Sequence, residues 1–199
     1  MPIGITRSLG ASGIPVWQGT SKDIQLAQGG FKLTATGYPD DTVIPAGTPL
    51  VINESTRVAT FLDTAIAQQN ESGAAVTYHV LKGSTIKIGD YLSKGAIGGP
   101  AYAVTAIDTT TSTLWDLLTV GTTIGAVTAG DTLWASTATG ATAGALPADN
   151  ALLYCDVVIK TGFVLSVSAV IKGTVYARRV PYTTSIEAQF DDIIYSQSK

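Results

Sequence analysis

The chain is poor in the residues that carry most protein chemistry. Its 199 residues include 1 His and 1 Cys. A lone imidazole and a lone thiol make no His/Cys cluster for a metal ion and leave little for a Cys–His pair. His79 therefore reads as a structural or surface residue. Cys155 has no partner for an internal disulfide and lies in an apolar stretch, so it is expected to be a small buried hydrophobe. Charge is also scarce, at 14% of residues with a net charge of −3. That balance excludes the basic footprint of a general nucleic-acid binder. No apolar run approaches the roughly 20 residues of a membrane helix. Neither nucleic acid nor membrane is an expected partner.

Catalytic signatures are missing as well. Gly10-Ala11-Ser12-Gly13 lacks the spacing of a nucleophile elbow. The Gly-rich stretch 94–100 lacks the Lys-Ser/Thr of a phosphate loop. The 15 acids leave a glycosidase-like carboxylate pair formally open. However, Asp90 and Asp131 follow Gly in turns, where their own backbone hydrogen bonds explain them. The chain is read as non-enzymatic, with no cofactor. Its first residues lack the charged start and apolar stretch of a secretory signal, so it is expected to stay where it is made unless released by lysis or in a particle.

What is present is β-forming sequence. From Val76 to Ser136 short segments rich in β-branched and aromatic residues are closed by Gly or Asp, the pattern of antiparallel strands and tight turns. One phrase occurs twice. Ile86-Lys87-Ile88-Gly89-Asp90-Tyr91-Leu92 is echoed by Ala126-Val127-Thr128-Ala129-Gly130-Asp131-Thr132-Leu133, with Gly-Asp at the boundary between strands. In Val76–Leu81, Val76, Tyr78 and Val80 share a face. Residues 57–67 fit a strand or a helical face, and strand is preferred because the flanks are β-like.

The ends differ from the middle. Residues 1–37 carry frequent Gly, with scattered Ile residues and Trp17, and hold no period. They read as an extended N-terminal arm that docks elsewhere, with Ile14, Val16 and Trp17 as its apolar anchors. The alternative is an irregular loop packed on its own domain. Residues 38–199 form the β-rich domain, with a low-complexity surface loop at 136–150. Residues 151–159 and 162–171 read as a central hairpin. Thr184-Ser185-Ile186-Glu187 matches a capping box and predicts one short helix over 184–192, laid down by Ile186, Phe190 and Ile193. The expected fold is mainly β: an antiparallel β-barrel or β-sandwich with one short C-terminal helix and an extended N-terminal arm.

An ordered set of stretches carries a resemblance: PAGTPL (45–50), TYHVLKGSTIKIGDYL (77–92), VTAIDTT (104–110), LLTVGTTIG (117–125), VTAGDTLW (127–134) and GTVYARRVPYTTSIEAQFDDIIY (173–195). Together they resemble the head-fibre or head-decoration proteins of tailed bacteriophages, particularly those infecting gut Bacteroidales. The resemblance implies a non-enzymatic virion protein made in the host bacterial cytoplasm and bound to the capsid exterior. It further implies the major capsid protein as partner and a homo-oligomer, with a trimer favoured. Adhesion to host or mucosal glycans is an additional capacity within that reading. The chain stops at Lys199 without the long shaft common in fibre proteins. The rival is a carbohydrate-binding β-sandwich module that stacks sugars on Trp115, Trp134, Tyr91 and Tyr102.

Overall fold

The computed structural model describes residues 15–20, 22–160 and 162–197. The fold is mainly β. In chain order the strands are β1 (Trp17–Gln18), β2 (Gln25–Leu26), β3 (Phe31–Leu33), β4 (Val43–Ile44), β5 (Pro49–Asn53), β6 (Val58–Phe61), β7 (Thr64–Ile66), β8 (Thr77–Leu81) and β9 (Tyr91–Lys94). They continue with β10 (Tyr102–Asp108), β11 (Trp115–Val120), β12 (Thr132–Ser136), β13 (Ala151–Leu153), β14 (Val157–Val158), β15 (Ser166–Val167), β16 (Ala169–Tyr176) and β17 (Ile193–Ser196). A 3-10 turn at Ala177–Arg179 and one helix, α1 (Thr184–Glu187), lie between β16 and β17.

The strand-rich middle of the chain builds one sheet in the order β7-β12-β9-β10-β11-β8. A bridge between Ala67 and Val80 brings its two edges together, so the sheet curls into a partial barrel. Alternation explains the curl. Along β11 Asp116, Leu118 and Val120 point inward, and along β8 Tyr78 and Val80 do the same. With Leu92 and Leu133 they fill the barrel. The inward Asp116 is held by Lys82 Nζ at 2.6 Å.

The repeated phrase forms the same turn twice. Lys87 N–H donates to Asp90 Oδ2 at 2.7 Å, and Thr128 N–H donates to Asp131 Oδ2 at 2.8 Å. In return Asp90 N–H reaches Lys87 O, and Asp131 N–H reaches Thr128 O. Gly89 and Gly130 occupy φ of +97° and +91°, where a side chain is strained. The strands these turns launch, β9 and β12, pair antiparallel with each other. The sequence echo is thus a spatial echo inside one sheet.

Nine more strands form a second sheet in the order β1-β16-β13-β5-β6-β3-β15, with β2 and β17 also on β16, while β4 and β14 pair as a separate two-stranded ribbon. Most pairs are antiparallel, but β3–β6 and β16–β17 are parallel. Phe31, Leu50 and Leu153 pack one core under this sheet. A third cluster joins the two sheets, because Trp134 of β12 packs with Leu152, Val175 and Ile186. The ambiguous stretch 57–67 is strand, split into β6 and β7 by Leu62-Asp63.

Several expectations need correction. Residues 151–171 are not a single hairpin. β13 pairs with β16 and β5, β14 pairs with β4, and β15 pairs with β3. The chain bends at Tyr154–Asp156, and this bend leaves Cys155 exposed rather than buried. The helix spans four residues, and its cap is Thr183, whose Oγ1 accepts from Ile186 N–H at 3.1 Å. Glu187 is not the return arm of a capping box, since its Oε2 accepts from Tyr182 Oη at 2.8 Å. The described part of the expected arm, from Pro15 on, contributes β1, β2 and β3 to the second sheet, and Phe31 and Leu33 to its core.

Candidate docking surface

Of the three expected anchors, Ile14 lies outside the described residues. Val16 and Trp17 are half-buried and pack against the cluster that joins the two sheets. β1 holds them there: Trp17 pairs with Val175, and Tyr176 N–H donates to Val16 O at 3.0 Å. The Trp17 indole N–H donates to Tyr154 O at 2.7 Å, and the two rings stack at 6.2 Å. Arg179 donates to Pro15 O at 2.6 Å and covers the Tyr176 ring. Apolar side chains read as anchors for another surface are thus engaged by the chain's own fold.

The stacking residues of the carbohydrate reading are similarly occupied. Trp134 is 0% exposed. Trp115, Tyr91 and Tyr102 are half-buried, and the Trp115 ring meets His79 edge-on at 4.6 Å. The chain has 3 Trp, 8 Tyr and 4 Phe, and among the described residues a single one of them, Phe163, stands exposed. Phe163 is 76% exposed, and its neighbour Val164 is 74% exposed. They sit on the turn between β14 and β15, where Phe163 N–H donates to Lys160 O and Gly162 adopts φ +82°. Lys160 pairs with Asp41 at the base of this tip. The sequence reading passed over this pair because it lay inside an apparent apolar strand. Its signal is two large apolar residues directly after a Thr-Gly turn.

A groove of about 580 Å³ opens where the two sheets meet. One wall carries Ala65, Ile66 and Leu81 from the barrel, and the other carries Val180, Pro181 and Tyr182. Lys82, Arg178 and Arg179 line it, and among the described residues no acidic one does. A second hollow of about 780 Å³ lies alongside, lined by the 94–100 loop and Tyr182–Thr184.

Ionisable groups form small structural sets. Tyr38 Oη donates to Asp63 Oδ1 at 2.5 Å, and Lys87 Nζ lies 3.0 Å from Asp63 Oδ2 and 3.9 Å from the centre of the Tyr38 ring. Burial pushes the Asp63 carboxyl up, against the pull of Tyr38 and Lys87. Glu71 meets His79 Nδ1 at 2.6 Å, and hydrogen bonds from His79 and Gln69 hold it below the usual range despite partial burial. Cys155 is exposed as a residue, yet partial desolvation of its sulfur, with help from Asp156, pushes its thiol up. Asp149 is buried, and neither carboxyl oxygen meets a hydrogen-bond partner among the described residues. Among the described residues no group of three or more His, Cys, Asp or Glu is placed to hold a metal ion. The Tyr38–Asp63–Lys87 and Glu71–His79 sets tie loops to the neighbouring strands.

Comparison with known proteins found no matching family model, curated protein or solved structure.

Proposed function

We propose that the chain is a structural virion protein, a head-fibre or decoration protein bound to the outer surface of a phage capsid. The observation that carries this reading is the ordered set of motifs over residues 44–195. Those motifs coincide with the parts that make the fold: the paired Gly-Asp turns, the β9–β12 pair and the β16–α1–β17 end. The low charge of the chain and the exposed Phe163-Val164 tip favour a life in contact with other protein surfaces. The major capsid protein is the partner. The docking side is the one where the chain enters the body at Pro15, next to Ile14. Val16 and Trp17 contribute by fixing that entry point. Many copies on one shell gain avidity, so each contact can be weak.

Co-sedimentation with capsids of the same phage tests the reading. The full chain is compared with a version beginning at Pro15, because removing residues 1–37 would also remove β1 to β3. Full-length protein is expected to move with the particles, and the shortened protein to move less. If neither form moves, the proposal fails and a glycan array becomes the next experiment.

A further inference from the structure

The exposed tip and the groove have complementary properties. The tip presents two adjacent apolar side chains, Phe163 and Val164, with Val43 47% exposed on the neighbouring strand. Its base carries Asp40, Asp41 and Lys160, which sum to a negative charge. The groove is apolar on its barrel wall, where Leu81 is 46% exposed, and it gathers Arg178 and Arg179 with no acid among its described lining residues, in a chain whose net charge is −3. A volume of about 580 Å³ accommodates a Phe and a Val side chain with room for their backbone. The two features flank β4, a strand of two residues. The tip adjoins Asp41, ahead of β4, and the groove begins at Pro45, just after it.

We propose that the Phe163-Val164 tip of one copy inserts into the Arg178/Arg179 groove of a second copy, forming a head-to-tail contact between identical chains. Burial of an aromatic anchor drives the insertion, and Asp40 and Asp41 approach the arginine wall and set its direction. Because the two patches differ, the contact is heterologous, so it closes into a ring when the rotation per copy permits. This deepens the oligomer part of the proposed function, yet it stands on the tip and groove alone. Loss of capsid binding would leave it intact, and loss of self-association would leave capsid binding to be judged separately.

The test is native mass spectrometry with light scattering on the full chain. The tip variant is Phe163→Asp, and the groove variant combines Leu81→Asp with Arg178→Glu. All three substitutions are at exposed positions, so folding should be retained, and near-ultraviolet circular dichroism checks this. Wild type is expected to self-associate, and each variant to lose about 30-fold or more in association. The decisive sample is the 1:1 mixture. The groove variant still owns a tip and the tip variant still owns a groove, so the mixture should form a 1:1 dimer that cannot grow. A monomeric wild type, a tip variant that assembles normally, or a mixture that stays monomeric overturns the proposal.

Discussion

Asp149 donates its backbone N–H to the side-chain oxygen of Gln189 over 3.1 Å, while neither oxygen of its own carboxyl group meets a partner among the described residues. The residue is 4% exposed. Around it lie Gln189, whose side-chain nitrogen is also unpaired, and Tyr195, whose hydroxyl is buried and unpaired. Glu187 and Tyr182 add to the field at Tyr195. Burial pushes the Asp149 carboxyl up to about 7. An acid raised on folding stabilises the fold while it stays protonated. Its contribution is full below the ordinary carboxyl range and is lost as pH rises through about 7. Unfolding free energy should therefore fall between about pH 4 and pH 7, by roughly 2–4 kcal/mol from this group. Asp63, also raised by burial, adds a slope of the same sign. Asp149→Asn should flatten most of the decline, as read by urea unfolding across that range.

Lys87 links the turn before β9 to Tyr38 and Asp63, and so fastens the N-terminal strands to the barrel. Lys87→Met removes the cation and leaves a buried carboxylate. A loss of roughly 1–3 kcal/mol is expected. Adding Asp63→Asn should recover part of it, because the unpaired charge is then gone. A double-mutant cycle in chemical denaturation measures this coupling.

Gly47 sits at φ +80°, and a Cβ there would lie 2.2 Å from Val180 Cγ1 and 3.1 Å from Val16 Cγ1. Gly47→Ala forces the 3-10 turn and the β1 entry apart. About 2 kcal/mol or more of stability should be lost. A thermal melt reads the loss, and Gly83→Ala, which meets no neighbour within 4 Å, controls for backbone strain alone.

Trp17→Ala removes the indole hydrogen bond to Tyr154 O and the stacked ring pair. Stability should drop by roughly 1–3 kcal/mol. This prediction separates two roles for the residue. A variant with an unchanged melting temperature that no longer binds capsids would make Trp17 a direct anchor instead of a structural one.

These cases show what the amino-acid pattern carries and what it does not. Turn chemistry is local, so the two Gly-Asp turns were legible from their echo, as were the strand β11 and the alternation of Tyr78 and Val80 in β8. Position relative to distant chain was not legible. Val157-Val158 looks like the continuation of β13, but its partner is Val43-Ile44, more than a hundred residues earlier. That choice of partner creates the bend that exposes Cys155 and the tip that exposes Phe163. Trp17 looked like an unpartnered anchor because its partners, Tyr154 and Val175, are equally remote. The helix ends early because its bonding tightens after one turn: Ala188 N–H reaches Thr184 O, but Gln189 and Phe190 N–H reach Ile186 O and Glu187 O, three residues back. Its start also differs from the expectation. Thr183 caps it one residue upstream of the expected Thr184, and Glu187 turns to Tyr182. The groove could not be read at all, since its walls come from stretches as far apart in sequence as residues 45, 65, 82, 132 and 180.

The central claim is that this chain sits on the outside of a capsid. Cryo-electron microscopy of the particles of the phage proposed to encode it, with and without the chain, addresses that directly. The account predicts ordered density outside the shell that fits the two-sheet body, disappears when the chain is omitted, and meets the major capsid protein on the side where Pro15 enters the fold. Particles whose outer surface is identical with and without the chain would contradict it.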